Sequence, residues 1–158
     1  MTTNSIENIE IDEYDKQILE LLQDDAKMTI KEISNKTGKS QTAVRERIKK
    51  LEENLIKKYA AIVDCRYLGY REMVMASLRV NSSQPLEEIK SQVDGLNEIK
   101  YAYIVTGEYP IFLMFKCLGH DEAMHVINKL RKLPGVEEVK TEIVLDRIKE
   151  DHTIIIPR

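Results

Sequence analysis

The chain has 158 residues, of which 42% are hydrophobic and 32% are charged, a composition typical of one ordinary globular domain or two small ones. Its net charge of −3 excludes a globally cationic binder of nucleic acid. No apolar run reaches the roughly 18 residues of a membrane span, and residues 1–10 lack a basic, apolar signal sequence, so we expect a cytoplasmic protein.

The charge is divided unevenly along the first third of the chain. Residues 1–26 hold eight acidic residues and one basic residue, whereas residues 27–58 hold ten basic and four acidic ones. A protein that displaces counterions from DNA needs its positive charge concentrated on the contacting surface. The candidate DNA-binding surface is therefore expected within residues 27–58.

Three helices are predicted in this first part of the chain. Asp12 is the expected N-cap of a helix over residues 14–23, in which Ile18, Leu21 and Leu22 form an apolar stripe. Residues 28–51 then read as two short helices joined by a tight turn.

Local signals define these two helices. Thr29 and Glu32 have the spacing of a capping box, which starts a helix at the next residue after the threonine. Gly38 is suited to a left-handed helix end, and Ser40 is suited to cap the second helix. Two short helices joined in this way predict a helix-turn-helix.

The second of these helices has one apolar and one polar, basic face. Val44, Ile48 and Leu51 lie on the apolar face at i, i+4 and i+7. The other face fits the major groove of DNA, where such side chains can meet base edges. The residues predicted to read bases are Gln41, Thr42, Arg45 and Lys49, and those predicted to contact phosphates are Ser40, Arg47 and Lys50.

Two substitutions distinguish these roles. Arg45→Ala is expected to cost about 1–3 kcal/mol of binding free energy and to relax base preference. Lys50→Ala is expected to weaken binding to all sequences alike.

The pattern changes from helical to alternating after Leu51. Asn54 is predicted to close the helix in a left-handed conformation, and residues 59–64 are predicted to form a strand that serves as a linker. The predicted domains are therefore a helix-turn-helix domain over residues 1–58, a hinge over 59–70 and a second domain over 71–158.

The second domain is predicted to have the order β-α-β-β-α-β, which is the ferredoxin-like unit of an α+β fold. Its elements are strand 73–80, helix 85–93, strand 99–106, strand 111–117, helix 121–132 and strand 136–145. Two helices cover one face of such a sheet, so alternate residues of 73–80 and 112–115 would leave an apolar open face. This face predicts a symmetric dimer.

Few residues suggest catalysis or the binding of a metal or cofactor. Cys65 and Cys117 are isolated and are expected to be buried thiols. No nucleophile–base pair, metal-ligand spacing or phosphate loop is present in the sequence, so we expect no enzyme activity and no cofactor. The apolar tail over residues 151–158 is expected to add an edge strand or to clasp a neighbouring subunit.

The chain resembles the Lrp/AsnC family of transcriptional regulators over residues 11–148. The order and spacing of several short motifs carry this resemblance. In the first part these are Ile11-Asp12, Asp15, Ile18-Leu19, Leu22, Ile33, Ser40, Val44, Arg47-Ile48 and Leu51-Glu52. In the second part they are Leu68-Gly69-Tyr70, the segment 105–109, the segment 133–136, Thr141 and the segment 143–145.

The resemblance implies a winged or plain helix-turn-helix, a hinge strand and a ferredoxin-like domain that dimerises and often stacks into tetramers or octamers. It implies a repressor or activator, often of its own gene, that binds double-stranded DNA and a free amino acid between dimers. The effector-binding residues implied in this sequence are Gly107, Glu108, Tyr109 and Thr141.

The sequence departs from the family pattern at three positions. Pro110 replaces a frequent aspartate and Val139 replaces a frequent threonine, so the usual partner of an amino-acid ammonium group is missing. Glu108 either supplies that charge or is a solvated turn residue. Asn54 replaces a glycine after the recognition helix.

Alternatives to a sequence-specific regulator remain. An amino-acid sensor or interaction module would use the three N-terminal helices to contact a protein instead of DNA. A low-specificity, chromatin-like DNA binder would show steep salt dependence without discriminating between sequences.

Overall fold

The computed structural model describes residues 9–83 and 85–158. The helices are α1 (Glu13–Asp24), α2 (Ile30–Thr37), α3 (Gln41–Asn54), α4 (Leu86–Asp94) and α5 (His120–Arg131). The strands are β1 (Glu72–Val80), β2 (Ile99–Ile104), β3 (Ile111–Cys117) and β4 (Val136–Ile143). We expected residues 1–10 to lack a signal sequence, and most of them lie outside the described residues. Among the described residues, no helix has the length and apolar character needed to cross a membrane.

The chain forms two compact units. The helical unit comprises the residues up to Ile62 together with Asp151–Arg158, and the sheet unit comprises Val63–Glu150.

The helical unit contains the three predicted helices, which the structure confirms. Their core consists of five buried apolar side chains, namely Ile18, Leu22, Ile33, Val44 and Leu51. Within the described part of this unit there is no strand, so the helix-turn-helix is of the plain and not the winged type.

The sheet unit has the predicted β-α-β-β-α-β order. Its strands are arranged β2-β3-β1-β4, and each neighbouring pair is antiparallel. Alternate residues of β1 and β3, such as Leu78, Leu113 and Phe115, are fully buried with residues of α4 and α5 such as Ile89 and Leu130. The ferredoxin-like prediction is therefore confirmed.

The other face of this sheet is not covered by any described helix of the sheet unit. We call it the open face, and its central side chains are Met75, Tyr101, Tyr103, Phe112 and Met114. Met75 is paired with Met114 between β1 and β3, and Tyr101 and Tyr103 are paired with Met114 and Phe112 between β2 and β3. The β4 positions of this face are charged, with Glu142 opposite Met75. The open face is thus apolar at its centre and polar along the β4 edge.

Two predictions near the end of α3 are wrong. Asn54 is the last helical residue and its side chain donates to the carbonyl of Lys50 at 2.7 Å; no described residue other than glycine has a positive φ. Residues 59–64 do not form a strand and expose Ile62 and Val63. A strand needs a neighbouring strand to complete its hydrogen bonds, and none of the described strands pairs with this segment.

The tail over residues 151–158 forms no strand either and belongs to the helical unit. Within that unit the tail is hydrogen-bonded to the Gln23 side chain and not to a strand. The Gln23 amide nitrogen donates to the Ile154 carbonyl at 3.0 Å, and the Gln23 amide oxygen accepts from the Ile154 N–H at 2.8 Å. Ile155 remains exposed.

The two cysteines differ. Cys117 is buried as predicted, and this burial raises the pKa of its thiol to about 11. Cys65 is only half-buried, in contrast to the prediction, because it lies in a short 3₁₀ turn (Cys65–Leu68) against the polar Arg147 side chain.

Candidate nucleic-acid interface and effector turn

The turn between α2 and α3 is fixed by short-range contacts. The Thr29 hydroxyl accepts from the Glu32 N–H at 3.3 Å, and the Glu32 carboxylate accepts from the Thr29 N–H at 2.7 Å. The Thr29 hydroxyl also donates to the Glu32 carboxylate at 2.7 Å. This hydroxyl and the Thr29 N–H lower the pKa of Glu32, so the capping carboxylate is charged. Gly38 ends α2 at φ 69°, and an added Cβ there would meet no atom within 4 Å. Only the positive φ therefore requires glycine.

The start of α3 is capped by Ser40, whose hydroxyl accepts from the Ala43 N–H at 3.2 Å. This bond uses the side chain that we predicted to contact a phosphate, although the other free N–H groups of the first turn remain exposed donors.

The outward face of α3 presents polar side chains that are free to bind. Gln41, Thr42 and Arg45 are exposed, and within the described part of the chain their side chains make no hydrogen bond or ion pair. Lys49 is 76% exposed and is only 3.8 Å from Glu53. The four side chains predicted to read bases therefore lie along one exposed face of α3.

Arg47 and Lys50 are placed differently. Arg47 lies 2.6 Å from the Asp12 carboxylate, and both cations contact the carboxylate of Asp15. The two residues predicted to contact phosphates thus have carboxylate partners within the helical unit.

Asp15 was named only among the residues that carry the family resemblance, and no role was predicted for it, although a signal was present. It precedes Ile18 and Leu22 by three and seven residues, which places a carboxylate on the buried face of α1. In the structure it is 0% exposed.

The turn between β2 and β3 contains three of the predicted effector residues. Gly107 has φ 114°, and the Val105 N–H donates to the Pro110 carbonyl at 2.9 Å, which closes the turn. Desolvation and the neighbouring Glu138 carboxylate raise the pKa of Tyr109.

Glu108 is 69% exposed and is near one cation. Its carboxylate lies 3.7 Å from Arg79, which also approaches Glu138 at 2.8 Å and Glu137 at 3.9 Å. One guanidinium therefore faces three carboxylates. Glu137 and Glu138 further line a shallow cavity of about 380 Å³ together with Arg131.

Thr141 does not join this cluster. It is paired with Ala76, which faces α4 and α5, whereas Glu138 is paired with Arg79 on the open face. Because side chains alternate along a strand, Thr141 and the Arg79–Glu138 pair lie on opposite faces of the sheet.

Comparison with known proteins gives consistent matches along the chain. Residues 11–52 match the family model of the AsnC-type helix-turn-helix domain, and residues 73–154 match that of the Lrp/AsnC ligand binding domain. The HTH-type transcriptional regulator FL11 of Pyrococcus horikoshii is 34% identical over 143 residues, which are 90% of this chain and 94% of FL11.

Two solved structures have the same fold. Escherichia coli AsnC is 28% identical with a TM-score of 0.85, over 92% of this chain and 99% of that one. A transcriptional regulator of Neisseria meningitidis in complex with L-Met is 22% identical with a TM-score of 0.86, over 92% of this chain and 97% of that one.

Proposed function

We propose that this chain, which belongs to the Lrp/AsnC family of transcriptional regulators, reads base edges in the DNA major groove with the outward face of α3. Members of the family are regulators and not enzymes. The observation that carries the proposal is the row of exposed side chains without partners among the described residues, Gln41, Thr42 and Arg45, followed by Lys49. Gln41, Thr42 and Arg45 therefore do not have to break an internal hydrogen bond before they contact a base.

The experiment begins with a duplex that the full-length protein selects from a random-sequence pool. Fluorescence anisotropy then compares this duplex with a scrambled one over a series of salt concentrations. A sequence-specific regulator binds the selected duplex more tightly, whereas equal affinities would indicate a low-specificity DNA binder. Failure to enrich any duplex from the pool, together with no binding to scrambled DNA, would favour the sensor alternative.

Arg45→Ala is expected to weaken binding to the selected duplex by about 1–3 kcal/mol and to flatten the preference at one base position. Arg45→Lys keeps the charge but loses the planar fork, so it is expected to retain affinity for scrambled DNA and to lose specificity. Lys90→Ala, on α4 of the sheet unit, is the control and is expected to have no effect. If Arg45→Ala left both affinity and base preference intact, another face of α3 would enter the groove.

We further propose that two copies pair through the open face of the sheet. The open face leaves Met75, Phe112 and Met114 half-buried and Tyr103 exposed. An uncovered apolar face of this kind is unusual for a monomer, and a face that pairs with its own copy gives a twofold dimer. Two helical units related by such a twofold axis match the symmetry of a pseudo-palindromic DNA site. Because its proposed target is chromosomal DNA, the dimer would be located in the cytoplasm.

An amino-acid effector is proposed at the turn between β2 and β3. The domain match and the L-Met complex of the Neisseria meningitidis protein support an amino acid as the ligand class. Glu108 and Glu138 exceed the positive charge of Arg79 and suit an ammonium group, while Arg131 suits a carboxylate. Because Thr141 is on the opposite face, it would contribute through a second copy.

Glu108→Gln is expected to weaken the binding of the effector by about fivefold, the effect of an exposed ion pair of ~1 kcal/mol. The twenty proteinogenic amino acids are first screened singly by thermal shift, and the one that stabilises the protein is titrated by calorimetry. Glu88→Gln, an exposed acid on α4, is the control and is expected to have no effect. Stabilisation by none of the twenty, or equal affinity for wild type and Glu108→Gln, would exclude this role of Glu108.

A further inference from the structure

The helical unit buries one carboxylate in its core. Asp15 is 0% exposed and shares the buried face of α1 with Ile18 and Leu22. Burying a charged carboxylate is costly unless it is both paired with cations and hydrogen-bonded. Its partners therefore determine how α1 and its neighbours fit together.

The cationic partners of Asp15 both come from α3. One guanidinium nitrogen of Arg47 lies 3.1 and 3.2 Å from its two oxygens, and the Lys50 ammonium lies 2.9 Å from Oδ2. The Asp12 N–H also donates to Oδ2, at 3.3 Å. Since residues 47 and 50 are three apart, they lie on one side of α3, and that side is held against the start of α1.

Each of the two cations is also held by a second partner at the start of α1. Arg47 pairs with the Asp12 carboxylate at 2.6 Å, and Lys50 donates to the Glu10 carbonyl at 2.7 Å. The Asp15 N–H and the Arg47 guanidinium lower the pKa of Asp12, so it too is charged. The charges of Arg47 and Lys50 are thus matched by those of Asp12 and Asp15.

Exposure separates these cations from the outward face of α3. The side chains of Arg47 and Lys50 are 36% and 35% exposed, against 76% for Lys49. A phosphate contact by either would have to compete with contacts to a buried carboxylate, and removing one partner from such a carboxylate is strongly unfavourable.

We infer that Asp15 is a positioning residue for DNA reading, and that Arg47 and Lys50 hold it instead of contacting phosphates. Asp15 fixes the rotation of α3 about its axis, so that Thr42, Arg45 and Lys49 face outward together. This inference rests on the proposed function, because it concerns how α3 is presented to the groove.

The first test is the salt dependence of DNA binding by full-length Lys50→Met. A cation that contacts a phosphate contributes about 0.9 to the slope of log K against log salt concentration. Lys50→Met is expected to leave the slope unchanged and to lower the preference for the selected duplex. Lys49→Met, the matched variant from the outward face, is expected to weaken binding to the selected duplex directly, because it removes a side chain predicted to contact bases. A reduction of the slope by about 0.9 in Lys50→Met would show a phosphate contact and overturn the inference.

The second test is Asp15→Asn, which removes the charge and nearly preserves the shape. The ratio of affinities for selected and scrambled duplexes is expected to fall about tenfold or more, the loss from one misaligned bidentate base contact. The slope is expected to become steeper because two cations are released. An unchanged ratio in a variant with wild-type circular dichroism would overturn the inference, and if the variant does not fold, the slope of Lys50→Met decides.

If the proposed function itself is wrong, the result differs from one in which only this inference is wrong. In that case the wild-type protein itself would bind selected and scrambled duplexes equally, before any variant is compared.

Discussion

Met114→Glu is expected to split the proposed dimer and to weaken binding to a duplex with two half-sites by about 10²- to 10⁴-fold, the avidity that linked sites provide. Met114 lies at the centre of the open face, opposite Met75 on β1 and Tyr101 on β2. A second copy packed there would bury the new carboxylate without a cation, at a cost of several kcal/mol. Sedimentation velocity gives the mass, and anisotropy gives the affinities for one and two half-sites.

The fold of the sheet unit is expected to survive this change. The neighbours of Met114 on β3, Leu113 and Phe115, point into the core, whereas Met114 points away from it. Ser91→Glu, an exposed site on α4, is the control and is expected to remain dimeric. A dimer of undiminished stability in Met114→Glu would exclude the open face as the interface, and binding to a single half-site should be nearly unchanged in either variant.

Leu51→Ala is expected to destabilise the helical unit by about 2–5 kcal/mol, the usual cost of truncating a buried leucine to alanine. Leu51 is 1% exposed and is one of only five buried apolar side chains in the described part of this unit. A core of this size provides little reserve of stability, so most copies of the unit should be unfolded at 37 °C and DNA binding should be lost.

The sheet unit has its own core and should keep its structure in Leu51→Ala. Hydrogen exchange followed by mass spectrometry distinguishes the two units, since only peptides from residues 9–62 and 151–158 should lose protection. Leu145→Ala is the control, because this leucine is 97% exposed and its truncation leaves no cavity. Loss of protection in both units together would show that they unfold as one cooperative body.

Local signals were sufficient to predict the helix-turn-helix and most of the sheet. Thr29 with Glu32, Gly38 and Ser40 each act through contacts within five residues, so their effects can be read from spacing alone. The bounds of β3 were also predicted correctly, because an apolar run between turns, here broken only by Lys116, is typical of a central strand.

Predictions that depended on distant partners were less successful. The segment 59–64 has the composition of a strand but none of the described strands pairs with it. Arg47 and Lys50 belong to a basic helix, and nothing in that helix shows that a carboxylate more than thirty residues earlier binds both of them. Thr141 shares a predicted site with Glu108, but only the register of β4 shows that the two lie on different sides of the sheet.

The bonds between Gln23 and Ile154 have a consequence for the order of folding. These residues are 131 positions apart, and every residue of the sheet unit lies between Ile62 and Asp151 in the chain. During synthesis α1, α2 and α3 leave the ribosome first, but the segment that binds Gln23 follows only after the sheet unit has been made. The three helices can therefore assemble early, whereas the helical unit acquires its last contacts late. A fragment that ends at Ile62 would correspond to the early, incomplete form of the DNA-binding unit.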